Sequence, residues 1–248
     1  MGAVGQTVPM IGAQERVSGR INYVLNVELP GMLSGKILRS PFSHARLVRV
    51  DASRAERLAG VGAVLTRSDF AGPTGFNGKY GRIFRDQTVV ALDKVRFVGD
   101  PVAAVAAVNG DIAAGALALI EVEYEEMPAV FDEEEALKPG APLVHDPRPA
   151  QQPMFSKMIQ DLPAGSNLCS HFKLRRGDVE QGFREADFVF EDVFRSPAAQ
   201  HVPLEPHVTV AQFFQGKLTI WTSTQMPHAI RAQMAELFKL PLARVRVI

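Results

Sequence analysis

An α+β fold is what this sequence predicts, and three stretches carry the prediction. Glu121-Val-Glu-Tyr-Glu-Glu126 alternates charged and apolar or aromatic side chains, the period of a half-exposed strand. Just before it, Ile112 to Leu119 is an Ala/Leu run of helix formers, with Asp111 as the expected N-cap. Far downstream, the apolar strand Lys217 to Trp221 runs into Thr222-Ser-Thr-Gln225, and Pro227 then opens a helix ending near Lys239. Proline suits a first helical position, where its missing N–H costs nothing.

The remaining elements follow in order. Lys36 to Arg39 and Ala45 to Val50 are strand-like, Ala52 to Leu58 reads as a short helix with charged exposed positions, and Val61 to Leu65 is an apolar strand. Gly72-Pro-Thr-Gly-Phe-Asn-Gly-Lys-Tyr-Gly81 is a loop by composition. It lacks the spacing of a phosphate-binding loop, and Tyr80 stands where a hydroxyl for magnesium is needed, so no nucleotide site is expected there. Val95 to Phe97 and Val102 to Val108 are rich in β formers and, with the helix and strand after them, suggest an open α+β layer.

From Asp132 the texture changes. An acidic short helix leads into Lys138-Pro-Gly-Ala-Pro-Leu-Val-His-Asp-Pro-Arg-Pro149, suited to an extended linker. Up to Phe172 no period is visible. Gly177-Asp178 then opens a short helix, with Gln181 placed as a capping-box partner. Asp187 to Arg195 and Thr209 to Phe214 are strand candidates, and Ala243 to Ile248 alternates as a strand whose edge expects a neighbour.

Composition narrows the function classes. The 248 residues can bury a real core; Lys plus Arg equals Asp plus Glu at 27 each, so nothing favours nucleic acid or an anionic membrane as partner. The N-terminus has no secretory pattern, and the apolar region Pro101 to Val122 is broken by Asn109-Gly-Asp111, too interrupted to span a bilayer. A cytoplasmic protein is the expectation. One cysteine, Cys169, excludes an internal disulfide and an iron–sulfur cluster held by this chain alone. With only Arg175 and Arg176 nearby in sequence, nothing marks that thiol as activated.

Small hydroxyls and one amide at a strand-to-helix corner have few uses as packing. Gln225 sits at its mouth with donor and acceptor atoms on a long side chain. The corner comes with Gln200-His-Val-Pro-Leu-Glu205-Pro-His-Val-Thr-Val210 upstream of it. Further upstream lie Gly31-Met-Leu-Ser-Gly-Lys-Ile-Leu-Arg-Ser-Pro-Phe-Ser-His-Ala-Arg46 and Val95-Arg-Phe-Val-Gly-Asp-Pro-Val-Ala-Ala-Val105. Together, and in this order, they resemble the molybdenum-cofactor-binding large subunit of the xanthine dehydrogenase and aldehyde oxidase family. The resemblance covers the front of that subunit; the glycine-rich loop and catalytic glutamate that the family places next do not occur within these residues.

The resemblance implies an α/β hammerhead domain followed by the first part of the molybdenum-cofactor-binding domain. The expected division is a tail over 1–14, the hammerhead over 15–130, a Pro-rich connection over 131–175, and an incomplete molybdopterin-binding domain over 176–248. It implies a hydroxylase that inserts water-derived oxygen into a C–H bond of an aldehyde or N-heteroaromatic substrate. Purines, nicotinate-like rings and carbon monoxide also stay open. The cofactor is a molybdenum–pterin shared with the missing segment or a partner chain. Iron–sulfur clusters and FAD are expected on partner subunits, alongside the remaining part of the large subunit.

A pterin-held metal asks the protein for hydrogen bonds rather than ligands. Gln225 matches the family's glutamine beside an oxygen ligand of the metal, with Thr224 and Ser223 as further cofactor-binding candidates. Spacing alone favours a local amide that satisfies the start of the next helix, and the resemblance turns the reading toward the cofactor. His201, Glu205, His207 and His228 invite a zinc reading, but Pro203 and Pro206 oppose the helical spacing it needs, and a strand beside the site is expected instead. Glu205 is not the family's general base, which lies in the missing part. The alternative from another class is a non-catalytic scaffold or assembly fragment that needs a second chain to complete the cofactor site.

Overall fold

The computed structural model describes residues 4–70, 78–81, 83–146 and 162–248. Its helices are α1 (Ala13–Val17), α2 (Ser53–Glu56), α3 (Gly110–Leu117), α4 (Glu133–Ala136), α5 (Val179–Glu185) and α6 (Pro227–Leu237). The strands are β1 (Ser34–Arg39), β2 (Ala45–Asp51), β3 (Val61–Leu65), β4 (Lys79–Tyr80), β5 (Gln87–Thr88), β6 (Lys94–Val95), β7 (Pro101–Ala107), β8 (Glu121–Glu126), β9 (Thr209–Phe214), β10 (Lys217–Thr222) and β11 (Val245–Val247). One compact unit gathers Met1–Gly81, Gln87–Met127 and Pro206–Ile248, and a second gathers Arg82–Asp86 and Pro128–Glu205.

In the first unit β7 lies between β1 and β3, antiparallel to both. Ala103, Val105 and Ala107 turn one face of β7 to Ala113 and Ala116 of α3, and this alanine-lined contact is completed by Ala52, Ala55 and Ile120. Small side chains let helix and sheet approach closely. The helix is capped by Asn109, whose Oδ1 accepts the Ile112 N–H at 2.9 Å; Asp111, the expected cap, lies inside its first turn. The cap needs an extended backbone, and Asn109 has it at φ −153°.

A second layer orders β6, β2 and β8. Arg46 pairs with Glu125, and past a bulge between Leu47 and Arg49 the register carries Arg49 opposite Glu123. The bulged stretch is held from outside by Arg67, which donates to the Leu47 and Val48 carbonyls at 2.6 and 2.9 Å. The inner face buries Ala45, Leu47 and Val95 in one cluster with Ala91 and with Val102 of β7. The strand expected over Val95 to Phe97 stops at Val95; Phe97 is exposed, in the turn that carries Gly99. Lys79–Tyr80, inside the expected loop, pairs with Gln87–Thr88, while residues 72–77 of that loop lie outside the described residues.

The second unit holds α4, capped by Asp132 through the N–H groups of Glu134 and Glu135, and α5, capped by Asp178. The Gln181 amide does not reach back to complete a capping box; it donates to Glu185 at 2.6 Å. Within the expected linker, Lys138 and Ala141 close a turn, and its residues 147–149 lie outside the described residues. Asp187 to Arg195 forms no strand among the described residues. Its alternation is real, since Phe188 and Phe190 stack on one side at 6.5 Å, but a strand also needs a paired backbone. Among the described residues, no helix is long and apolar enough to cross a membrane.

Candidate functional site

The corner lies in a β-α-β unit. β9 and β10 form a hairpin through Gln215 and Gly216, both with positive φ as its two-residue turn requires. After α6 the chain returns as β11, parallel to β10 with Leu218 opposite Val245. Parallel strands need such a crossover, and ligands in open α/β layers collect beyond the carboxyl ends of the strands. Ser223, Thr224 and Gln225 occupy that place, between the end of β10 and the start of α6.

Each end of the corner is fastened. On the strand side, the Thr222 N–H donates to the Ile248 carbonyl at 3.1 Å, and the Thr222 and Thr209 hydroxyls meet at 3.0 Å across β10 and β9. On the helix side, Pro227 is the first helical residue and the preceding Met226 donates its N–H to Thr224 Oγ1 at 3.0 Å. Thr224 is therefore the residue that closes the turn. Gln225 is exposed and, among the described residues, its side chain has no hydrogen bond. The local reading, in which the Gln225 amide satisfies the helix start, is the role Thr224 fills. Ser223 is exposed beside it.

The structure thus brings Ser223, Thr224 and Gln225 to one neutral, hydrogen-bonding surface at a helix N-terminus, where first-turn N–H groups and the helix dipole add positive potential. Among the described residues, no group of three His, Cys, Asp or Glu side chains could hold a metal ion. Hydroxyl and amide donors without metal ligands fit a metal that arrives with its own sulfur ligands. The pairing of Thr209 with Thr222 escaped sequence reasoning, because a threonine at a strand end is ordinary until its cross-strand partner is known. Thr209 also lines a groove of about 920 Å³ between Leu29–Ile37 and His207–Gln212, which none of the three corner residues enters. Cys169 is exposed and borders a separate cavity of about 290 Å³ with Asp86 and His145 in the second unit.

Comparison with known proteins matches both halves of the chain. Residues 18–128 match the model of the aldehyde oxidase and xanthine dehydrogenase a/b hammerhead domain, and residues 161–248 match that of the molybdopterin cofactor-binding domain. A probable xanthine dehydrogenase component from Bacillus subtilis is 35% identical over 94% of this chain and 28% of its own length. The nicotinate dehydrogenase large molybdopterin subunit of Eubacterium barkeri is 32% identical over 99% of this chain and 53% of its own. Among solved structures, CO dehydrogenase from Oligotropha carboxidovorans superposes with a TM-score of 0.81 at 34% identity, covering 98% of this chain and 30% of that one. Quinoline 2-oxidoreductase from Pseudomonas putida 86 follows at 0.78 and 29%, over 99% of this chain and 30% of that one. The chain spans about a quarter to a half of the length of the curated relatives it matches.

Proposed function

Because the chain belongs to the xanthine dehydrogenase and aldehyde oxidase family of molybdopterin-binding large subunits, we propose that it works as the front of a molybdenum hydroxylase and presents Gln225 to the cofactor. One observation carries the second part: the turn is closed by Thr224, so the Gln225 amide is spent on nothing local among the described residues. A neutral amide N–H can polarise and position an oxygen without adding charge, and Ser223 and Thr224 offer hydroxyls beside it.

When bound, the molybdenum–pterin group supplies the redox chemistry that puts water-derived oxygen into a C–H bond of an aldehyde or N-heteroaromatic substrate. What this chain adds is binding and orientation by neutral donors on a rigid β-α-β frame. The reading takes in the rest of a large subunit, an iron–sulfur subunit and a flavin subunit as partners, in the cytoplasm. One cysteine is too few to hold an iron–sulfur cluster, so in this reading the clusters lie outside these 248 residues.

Turnover per bound molybdenum in Gln225→Ala, measured in the assembled enzyme beside its melting temperature, tests this. Deleting one preorganised donor typically costs about 2.7–4 kcal/mol of barrier, roughly a hundredfold to a thousandfold. Melting should hold, since the side chain caps no helix. Unchanged turnover and unchanged metal content would refute the role assigned to Gln225.

A further inference from the structure

We propose that Arg231 is a positioning residue, holding the helix end that presents Gln225. Its Nε donates to the Val245 carbonyl at 2.8 Å and to the Leu242 carbonyl at 3.2 Å, while Nη2 donates to the same Leu242 carbonyl at 2.8 Å. One guanidinium thereby ties the first turns of α6 to the turn and residue that begin β11. Among the described residues no carboxylate pairs with it, so its planar fork is committed to these two carbonyls.

The need for such a tie is visible in how α6 packs. Its buried residues, Ala235 and Leu237, both lie in the C-terminal half, and the small core beneath the helix consists of Leu218, Ile220, Ala235 and Val245 with Met234 and Leu240. Pro227 and His228 are exposed, and the side chain of Met226 at the N-cap accepts no helix N–H. Full apolar burial is therefore confined to the far half of the helix; in the half next to Gln225, where Ala229 and Ile230 are only half-buried, Arg231 adds the directional fastening. Because Leu218 faces Val245 across the parallel pair, the tie also fixes the helix against β10, the strand that enters the corner. Lysine cannot replace it, since a single ammonium lacks the fork that reaches both carbonyls with fixed geometry.

The inference rests on the proposed role of Gln225 for its functional meaning, and its structural half is separately testable. In the chain as it stands, the Gln225 side-chain NH₂ resonance is identified by its disappearance in Gln225→Ala. In Arg231→Lys that resonance should shift or broaden. Amide exchange from Ser223 to Ile230 should speed up roughly tenfold, the scale of one lost charge-assisted bond, while α3 and β7 stay unchanged. Arg231→Gln, which keeps a neutral donor, should fall in the same direction and serves if the lysine variant does not fold. In the assembled enzyme, Arg231→Lys should lower turnover per molybdenum, yet Gln225→Ala with Arg231→Lys should be no slower than Gln225→Ala alone. An unmoved Gln225 resonance with uniform loss of protection over the whole unit would overturn the inference, as would additive losses in the double variant. A Gln225→Ala enzyme with normal turnover would instead overturn the functional reading of Gln225 and leave the resonance and exchange results to decide on Arg231.

Discussion

The carboxylate of Asp100, a residue only 6% exposed, accepts the Arg96 backbone N–H at 3.0 Å. The Asp100 carbonyl in turn accepts the Ser40 N–H at 2.9 Å, so one residue joins the turn before β7 to the end of β1. Burial pushes the Asp100 carboxyl above the ordinary carboxylate range, against the opposing pull of the Arg96 N–H and guanidinium.

A carboxyl held above its unfolded pKa favours the folded chain below the unfolded value and loses that contribution as pH rises through the folded one. Asp100→Asn keeps an acceptor for Arg96 and removes the titration. Unfolding followed in urea from pH 3 to 7 should show the variant gaining stability relative to the parent as pH rises through this range. A constant difference across the range would refute the assignment.

At the start of α3, Asn109→Ala should cost about 1 kcal/mol, as N-cap losses do, whereas Asp111→Asn should change stability far less. Urea midpoints of the two variants distinguish the residue that accepts the Ile112 N–H from its acidic neighbour.

Lys239 holds φ +51° at the end of α6, where the Leu240 N–H reaches back to the Ala235 carbonyl at 2.8 Å and Leu240 packs on the core. This is a Schellman ending with lysine in the position that favours glycine. Lys239→Gly removes a left-handed penalty of about 1–2 kcal/mol and gives back part of it as unfolded-chain entropy. A rise in melting temperature of a few degrees is expected, and a fall would mean that the lysine side chain has a use of its own.

Gly60 sits at φ +89°, and a Cβ there would meet Ile112 Cδ1 at 2.8 Å and Val108 Cγ2 at 3.1 Å. Gly60→Ala should therefore destabilise by about 1–3 kcal/mol, adding overpacking to backbone strain. At Gly62 the nearest atom is the movable end of Leu33 and φ is not positive, so Gly62→Ala should cost less. Equal losses in thermal melts would argue against the backbone contribution.

Much of the fold was legible because period and punctuation agree. The strands at Val61–Leu65, Glu121–Glu126 and Thr209–Phe214 and the helix opened by Pro227 stand where the pattern puts them. What failed to show was whatever depends on a distant backbone. Asp187 to Arg195 has the alternation of a strand, yet pairing is a property of two segments and only one can be read locally. Asn109 and Asp111 are both good caps, and their backbone angles, invisible in the sequence, choose between them. At the site, the hydroxyl-and-amide corner was readable. The closing role of Thr224 and the Arg231 tie were not, since side chains that bond to backbone leave no spacing rule behind.

The central place of β7 sets an order in time. Arg39 of β1 pairs with Pro101, and Leu65 of β3 pairs with Ala104, so two strands synthesised early both wait for a third. At a ribosomal rate of about 5–20 residues per second, β1 spends roughly 3–12 s without its neighbour. During that interval Ile37 and Val64 have no sheet to join, and the nascent chain is most open to capture by a chaperone or to mispairing. Once Ala107 emerges, both edges close on β7 together, and α3, made next, can lay its alanines on the finished sheet.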